Sequence, residues 1–261
     1  MEWLVYPAAG ALAGVLAGLF GVGGGAVIVP ILIFLFKAQS LAPEVIAKLA
    51  IGTSFATIVV TAMSAVHSHH RRGNVDWAIV RTMSPGLVIG VVLGAIVATD
   101  LNGAVLEWLV GLFLALIGLQ MLFSLAPQAS GPMPPRPIQL AAGGGIGFAS
   151  AFFGIAGGSM TVPFLSACSQ PMRRAVATSA ACGIPIAVFG AASYLLRGQS
   201  DPALPALSLG YVYLPAMLGI AIASLPCAQL GARMASHFPE RLMKRCFAIM
   251  LLIVAAQLFI W

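Results

Sequence analysis

Apolar positions fill the chain in eight long runs, roughly residues 3–36, 45–66, 77–99, 105–125, 138–168, 175–196, 211–235 and 242–260, with short polar stretches between them. Each run has about the 20 residues that an α-helix needs to cross a bilayer core of ~30 Å. They are apolar on every face, without the short alternating segments of an outer-membrane barrel, so helices must satisfy their backbone groups. The pattern predicts an all-α polytopic membrane protein of four plus four segments. Between the fourth and fifth runs lies Ala126-Pro-Gln-Ala-Ser-Gly-Pro-Met-Pro-Pro-Arg-Pro137, whose prolines favour an extended linker. The division expected is therefore a first repeat over 1–125, a linker over 126–137 and a second repeat over 138–261.

The two halves repeat one another. Gly18-Leu-Phe-Gly-Val-Gly-Gly-Gly-Ala-Val-Ile-Val-Pro30 returns 133 positions later as Ala151-Phe-Phe-Gly-Ile-Ala-Gly-Gly-Ser-Met-Thr-Val-Pro163. Three shorter matches follow in the same order: Ile51-Gly-Thr-Ser54 with Val176-Ala-Thr-Ser179, Arg72-Gly-Asn74 with Arg197-Gly-Gln199, and Leu93-Gly-Ala95 with Leu230-Gly-Ala232. A glycine cluster and a proline inside an apolar run break a helix, and breaks at matching points of two halves mark the substrate site of many transporters.

Composition agrees with a lipid solvent: 60% hydrophobic residues, 8% charged and a mean hydropathy of +1.02. Met1-Glu-Trp lacks a basic n-region, so the opening run reads as a retained element. The net charge of +6 does not point to nucleic acid, because the 13 Lys and Arg are scattered through inter-helix loops. They report topology instead. Eight simple crossings divide them 8 to 5. If the first and fifth runs re-enter on the side they left, the division is 10 to 3, which the positive-inside rule favours. Residues 3–36 would span about 51 Å as one helix, against a ~30 Å core, which also favours folding back. The expected halves are therefore inverted and both chain ends non-cytoplasmic, which a reporter fused after Trp261 checks.

Gly21, Gly23, Gly24 and Gly25, with Gly154, Gly157 and Gly158, would free backbone N–H groups that need a polar cavity or a ligand. Restarting helices aim their positive ends there, a setting for an anion. Gly10, Gly14 and Gly18 read instead as helix-packing positions. Hydroxyls supply the side-chain donors: Thr53, Thr57, Thr61 and Ser64 share one helical face, and Thr178, Ser179 and Ser193 occupy the second half. The alternative is that these hydroxyls bond their own helix backbone or a neighbouring helix. Lys48 and Arg173, just before the Thr-Ser pairs, could attract an anion or simply snorkel to the interface. Glu2, Glu44, Asp76, Asp100, Glu107, Asp201 and Glu240 all fall at run ends or in loops, which argues against cation transport. His67, His69 and His70, without a carboxylate or Cys partner, read as a solvated basic loop rather than a metal site, and no cofactor is expected. The four cysteines read as buried small hydrophobes.

These motifs resemble the sulfite exporter TauE/SafE family over nearly the whole chain: both glycine clusters, both Val-Pro endings and both Thr-Ser pairs. The resemblance implies a multi-pass protein of the inner (plasma) membrane that moves sulfite, sulfonates or related sulfur-containing anions, usually outward; with inverted halves, the expected mechanism is alternating access. Ala156 stands where the first motif has Gly23, and Ser159 where it has Ala26, so the breaks need not contribute equally. Substrate contacts are expected from Gly23, Gly24, Gly25, Thr53, Ser54, Thr57, Gly157, Gly158, Ser159, Thr178 and Ser179. Competing readings are a passive anion channel and an intramembrane hydrolase using Ser159. The latter is poor, because His237 is the only histidine of the second half and lies far along the chain. Valine at Gly24 or Gly157 is expected to impair transport more than serine at either threonine.

Overall fold

A computed structural model describes residues 5–20, 24–123, 131–199, 201–235 and 240–260. Gly21 and Gly23, residues 126–130 of the linker and Trp261 lie outside the described residues. The architecture is all-α with one small hairpin: α1 (Val5–Phe20), α2 (Gly25–Ala38), α3 (Pro43–Arg71), α4 (Trp77–Asp100), α5 (Gly103–Leu122), α6 (Arg136–Phe153), α7 (Gly158–Ala167), α8 (Met172–Arg197), β1 (Ser208–Leu209), β2 (Val212–Tyr213), α9 (Leu214–Ala235) and α10 (Glu240–Ile260). The eight apolar runs are thus eight segments, the first split into α1 and α2 and the fifth into α6 and α7. Helices α3 and α8 run several residues past their apolar runs into polar ends. The apolar start of the seventh run is instead an antiparallel hairpin pairing Ser208 with Tyr213.

Five helices, α3, α4, α5, α8 and the Leu214–Gly231 part of α9, are long and apolar enough to cross a membrane, and α10 adds a shorter apolar stretch, Arg245–Ile260. The outer surface carries Ile89, Leu93, Leu116, Ile222 and Ile253, each more than half exposed, as a lipid-facing surface requires. Cys168 and Cys182 are buried, but Cys227 is only partly so and Cys246 is exposed, which corrects the expectation for the last two. A thiol behaves as a small hydrophobe, so its place on an apolar outer surface carries little cost.

Each split segment folds back on itself. The Tyr6 hydroxyl near the start of α1 meets Gln39 just after α2, 3.0 Å away. The Ser169 hydroxyl after α7 donates to the Gly131 carbonyl just before α6, at 3.0 Å. The two ends of each hairpin therefore share one face of the molecule. On the first face lie Gln39, the Lys37–Glu107 ion pair and the Arg197–Asp100 ion pair; on the second lie Asp76, Arg136, Gln139 and Gln170.

Equivalent helices of the two halves pack on each other antiparallel. On α3 and α8, Gly52 lies against Tyr194 and Phe55 against Gly190; on α5 and α10, Gly111 lies against Phe259 and Gly118 against Leu252. The hairpins exchange partners: α1 runs parallel to α9, with Gly10 on Ile220 and Gly14 on Ser224, while α6 runs parallel to α4, with Gly86 on Leu140 and Gly90 on Gly144. Gly94 and Gly231, the third matched motif, sit against Phe148 and Val15 in these seams. Missing side chains let the backbones approach closely, so dispersion contacts replace the hydrophobic drive that lipid does not supply.

Candidate anion site

The two helix breaks touch. A Cβ on Gly25 would lie 2.6 Å from the Gly154 carbonyl oxygen and 2.9 Å from Ile155 Cα, so this position at the start of α2 has no room for a side chain. In the second half the chain leaves α6 through Gly154 at φ 61° and enters α7 through Gly157 at φ 72°. Both angles are left-handed, a region that costs an ordinary residue about 1–2 kcal/mol. Gly24, by contrast, has helical φ −61° and ψ −29°. The glycines of the two motifs are thus not geometrically equivalent.

Beside this contact opens a cavity of about 390 Å³, lined by Gly18, Gly24 and Gly25 of the first half and Ile155, Ala156, Gly158 and Ser179 of the second. Ile58, Thr61, Ala62, Ala65 and His69 of α3 carry its wall towards the second face. No side chain caps α2 or α7, so the first-turn N–H groups of two helices begin at this cavity together with their positive dipole ends. Among its described lining residues there is no carboxylate, lysine or arginine. A small anion finds donors here without competition from a fixed negative charge.

The matched hydroxyls divide into two roles. Thr53 Oγ1 accepts the Tyr213 backbone N–H at 2.9 Å, and Thr178 Oγ1 accepts that of Asp76 at 3.0 Å. Tyr213 and Asp76 each immediately precede the third segment of a half, so each threonine anchors the start of α9 or α4 in the opposite half. Ser54 donates to the Gly154 carbonyl at 2.8 Å, tying α3 to the second break, and Thr57 donates to Thr53 O of its own helix. These four hydroxyls hold the scaffold. Ser179, the match of Ser54, is buried with no partner among the described residues and lines the cavity.

Three more buried hydroxyls near this break lack a described partner: Ser150 of α6 and Ser159 and Thr161 of α7. With Ser179 they come from the three helices that meet at the second break. Burying a hydroxyl unpaired costs about 1–3 kcal/mol, so four around one break call for a guest, water or anion. Ser150 and Thr161 escape a sequence reading centred on the matched pairs. Their signal is a polar residue within four positions of a break, inside an apolar run.

Lys48 and Arg173 do not line the cavity. Lys48 sits 5.7 Å from the Tyr211 ring centroid, and Arg173 is exposed near the start of α8. Thr61 reaches the cavity, while Ser64 is exposed and Ser193 is half-buried and donates to Phe189 O. His70 Nδ1 accepts the Trp77 indole N–H at 3.2 Å. Towards the first face the way is filled. The β1–β2 hairpin presses Tyr211 against Gly52, and the buried Tyr194 hydroxyl donates to Ala151 O at 2.9 Å. Burial, then a hydrogen bond to Asp201, holds the Tyr211 phenol above its ordinary value.

A matching sequence profile, described as Sulfite exporter TauE/SafE, covers residues 6–258. The chain belongs to the TauE/SafE family. A probable membrane transporter protein of Haemophilus influenzae is 36% identical over 252 residues, 96% of either chain. One of Methanocaldococcus jannaschii is 30% identical over 226 residues, covering 86% of this chain and 83% of its own. One of Bacillus subtilis is 25% identical over 274 residues, covering 97% and 94%. No solved structure gives a significant match. This TauE/SafE chain is accordingly a multi-pass membrane protein of a transporter family, and its glycine-broken hairpins meet at one cavity.

Proposed function

We propose that the protein carries a compact sulfur oxyanion, sulfite or a small sulfonate, across the membrane by alternating access between two inverted halves. The observation that carries this reading is the cavity itself. Two uncapped helix starts and the Ser179 hydroxyl, unpaired among the described residues, converge on about 390 Å³ whose described lining has no acidic side chain. The antiparallel packing of α3 on α8 supports the inversion, because equivalent crossings then run in opposite senses. With each hairpin re-entering on its own face, Lys37, Lys48 and Arg197 fall towards the first face and the other ten cations towards the second. The positive-inside rule makes the second face cytoplasmic, and the cavity opens towards it.

Access alternates, in this reading, by exchanging the two serines. Ser54 is bonded to the second break on the closed side, and Ser179 stands free on the open side. Swapping the roles of the halves would release Ser54 and close the path past His69. Ser179 is then a donor to the anion, and a hydrogen bond to a charged group contributes about 1.5–3 kcal/mol.

Ser179→Ala is therefore expected to weaken sulfite binding at least tenfold while leaving thermal stability nearly unchanged. Thr53→Val should do the reverse, lowering stability through the lost Tyr213 anchor. Binding isotherms and melting curves on both purified variants check this. Equal affinity in Ser179→Ala and wild type would remove Ser179 from the site.

A further inference from the structure

We infer that the protein holds a membrane phospholipid in a second, polar cleft on the second face, by a headgroup with a phosphate and a hydrogen-bond donor. This cleft has a volume of about 680 Å³ and is distinct from the cavity at the breaks. The start of α4 gives it Asp76, Arg81 and Thr82, the start of α6 gives Arg136 and Gln139, and the turn after α7 gives Gln170. Arg81 and Arg136 are exposed, and neither forms an ion pair among the described residues. Two unpaired guanidinium groups across a cleft suit a phosphate, which they can grip bidentately.

Gln139 supplies an independent observation. It is only 9% exposed and lines the cleft; its Nε2 donates to Pro134 O at 2.8 Å, but its buried Oε1 has no partner. That oxygen calls for a donor from the guest. Asp76 adds a carboxylate, one oxygen of which already caps α4 through Ala78 N–H and Ile79 N–H. Cations for a phosphate and acceptors for a donor together describe a phosphodiester with a hydroxyl or ammonium group, as in phosphatidylglycerol or phosphatidylethanolamine.

The surroundings favour a lipid over a free phosphate. Trp77, Ile138 and Leu140, on the same two helix starts, are 40%, 54% and 42% exposed, an apolar flank for acyl chains. Basic pockets between helix ends on a cytoplasmic side are suited to headgroups. Nor is the cleft a by-product of the repeat. By the 133-residue offset Tyr6 stands where Gln139 does, and there it is 2% exposed, with Tyr6 and Tyr213 packed ring on ring at 5.7 Å. The corresponding place on the first face is filled.

The test is native mass spectrometry of the delipidated full chain titrated with phosphatidylglycerol, phosphatidylethanolamine and phosphatidylcholine, whose head has no donor. Phosphatidylglycerol and phosphatidylethanolamine should be retained about tenfold better than phosphatidylcholine by the wild-type protein. Arg81→Gln with Arg136→Gln should lower retention of all three, whereas Gln139→Leu should only narrow the preference. Equal retention of the three lipids by the wild type would overturn the inference, whether or not the variants fold. Displacement by soluble glycerol phosphate at matched concentration would also overturn it, reassigning the cleft to a free phosphate.

Discussion

Gly25→Val should reach the membrane and move no measurable substrate. The Gly25 Cα faces the backbone of the other half, with the Gly154 carbonyl oxygen 2.6 Å and Ile155 Cα 2.9 Å from where a Cβ would stand. Neither atom can yield by changing rotamer, so the breaks must separate and the cavity between them must change shape. Gly157→Val meets a different obstacle, a φ of 72°, together with Ile186 Cδ1 at 2.8 Å. Gly24→Ala meets neither: its backbone is already helical, and the nearby atoms among the described residues belong to the Ile28 side chain, with Cδ1 at 3.0 Å. Transport should thus fall at least a hundredfold for Gly25→Val and Gly157→Val and stay within a few-fold for Gly24→Ala, at equal membrane levels. This refines the sequence expectation, which treats Gly24 and Gly157 alike. Near-normal transport by Gly25→Val would reduce the contact between the breaks to packing.

Breaking the Lys37–Glu107 pair should produce the largest loss of stability. The ammonium and carboxylate are 2.6 Å apart, with side chains 18% and 10% exposed, and they tie the end of α2 to the first turns of α5. Lys37 also lies in the last turn of α2, where a cation meets the negative end of the helix. Removing one partner leaves a largely desolvated charge alone, a loss of about 3 kcal/mol, whereas removing both spares that penalty. Lys37→Met and Glu107→Leu should each lower the thermal midpoint in detergent by several degrees, and the double variant should recover most of it. Additive losses in the double variant would show that the two charges act independently.

Much of this was legible in the sequence because lipid imposes a simple code. Apolar runs set the segments, and glycine clusters set the breaks. The hairpin Ser208–Tyr213 was not, since Leu209, Val212 and Tyr213 extend an apolar run without a change of period. The roles of the Thr-Ser pairs were half visible. The motif marks positions that matter in both halves, yet only the fold shows that Thr53 and Thr178 bond the opposite half while Ser54 and Ser179 differ in partner. In the proposed alternating access that difference is one of state, to which a repeat in sequence is blind. Lys48 and Arg173 match in sequence but, with α3 and α8 antiparallel, lie towards opposite ends of the molecule, so they cannot serve one cavity together.

The most direct measurement is counterflow in liposomes that contain only this protein. Vesicles loaded with unlabelled sulfite and diluted into labelled sulfite should take up label transiently above its equilibrium level, with saturation in external sulfite and with Gly25→Val inactive. A carrier with one alternating site behaves in that way. Uptake that rises linearly with concentration and never exceeds equilibrium would indicate a passive pore, and would contradict the account.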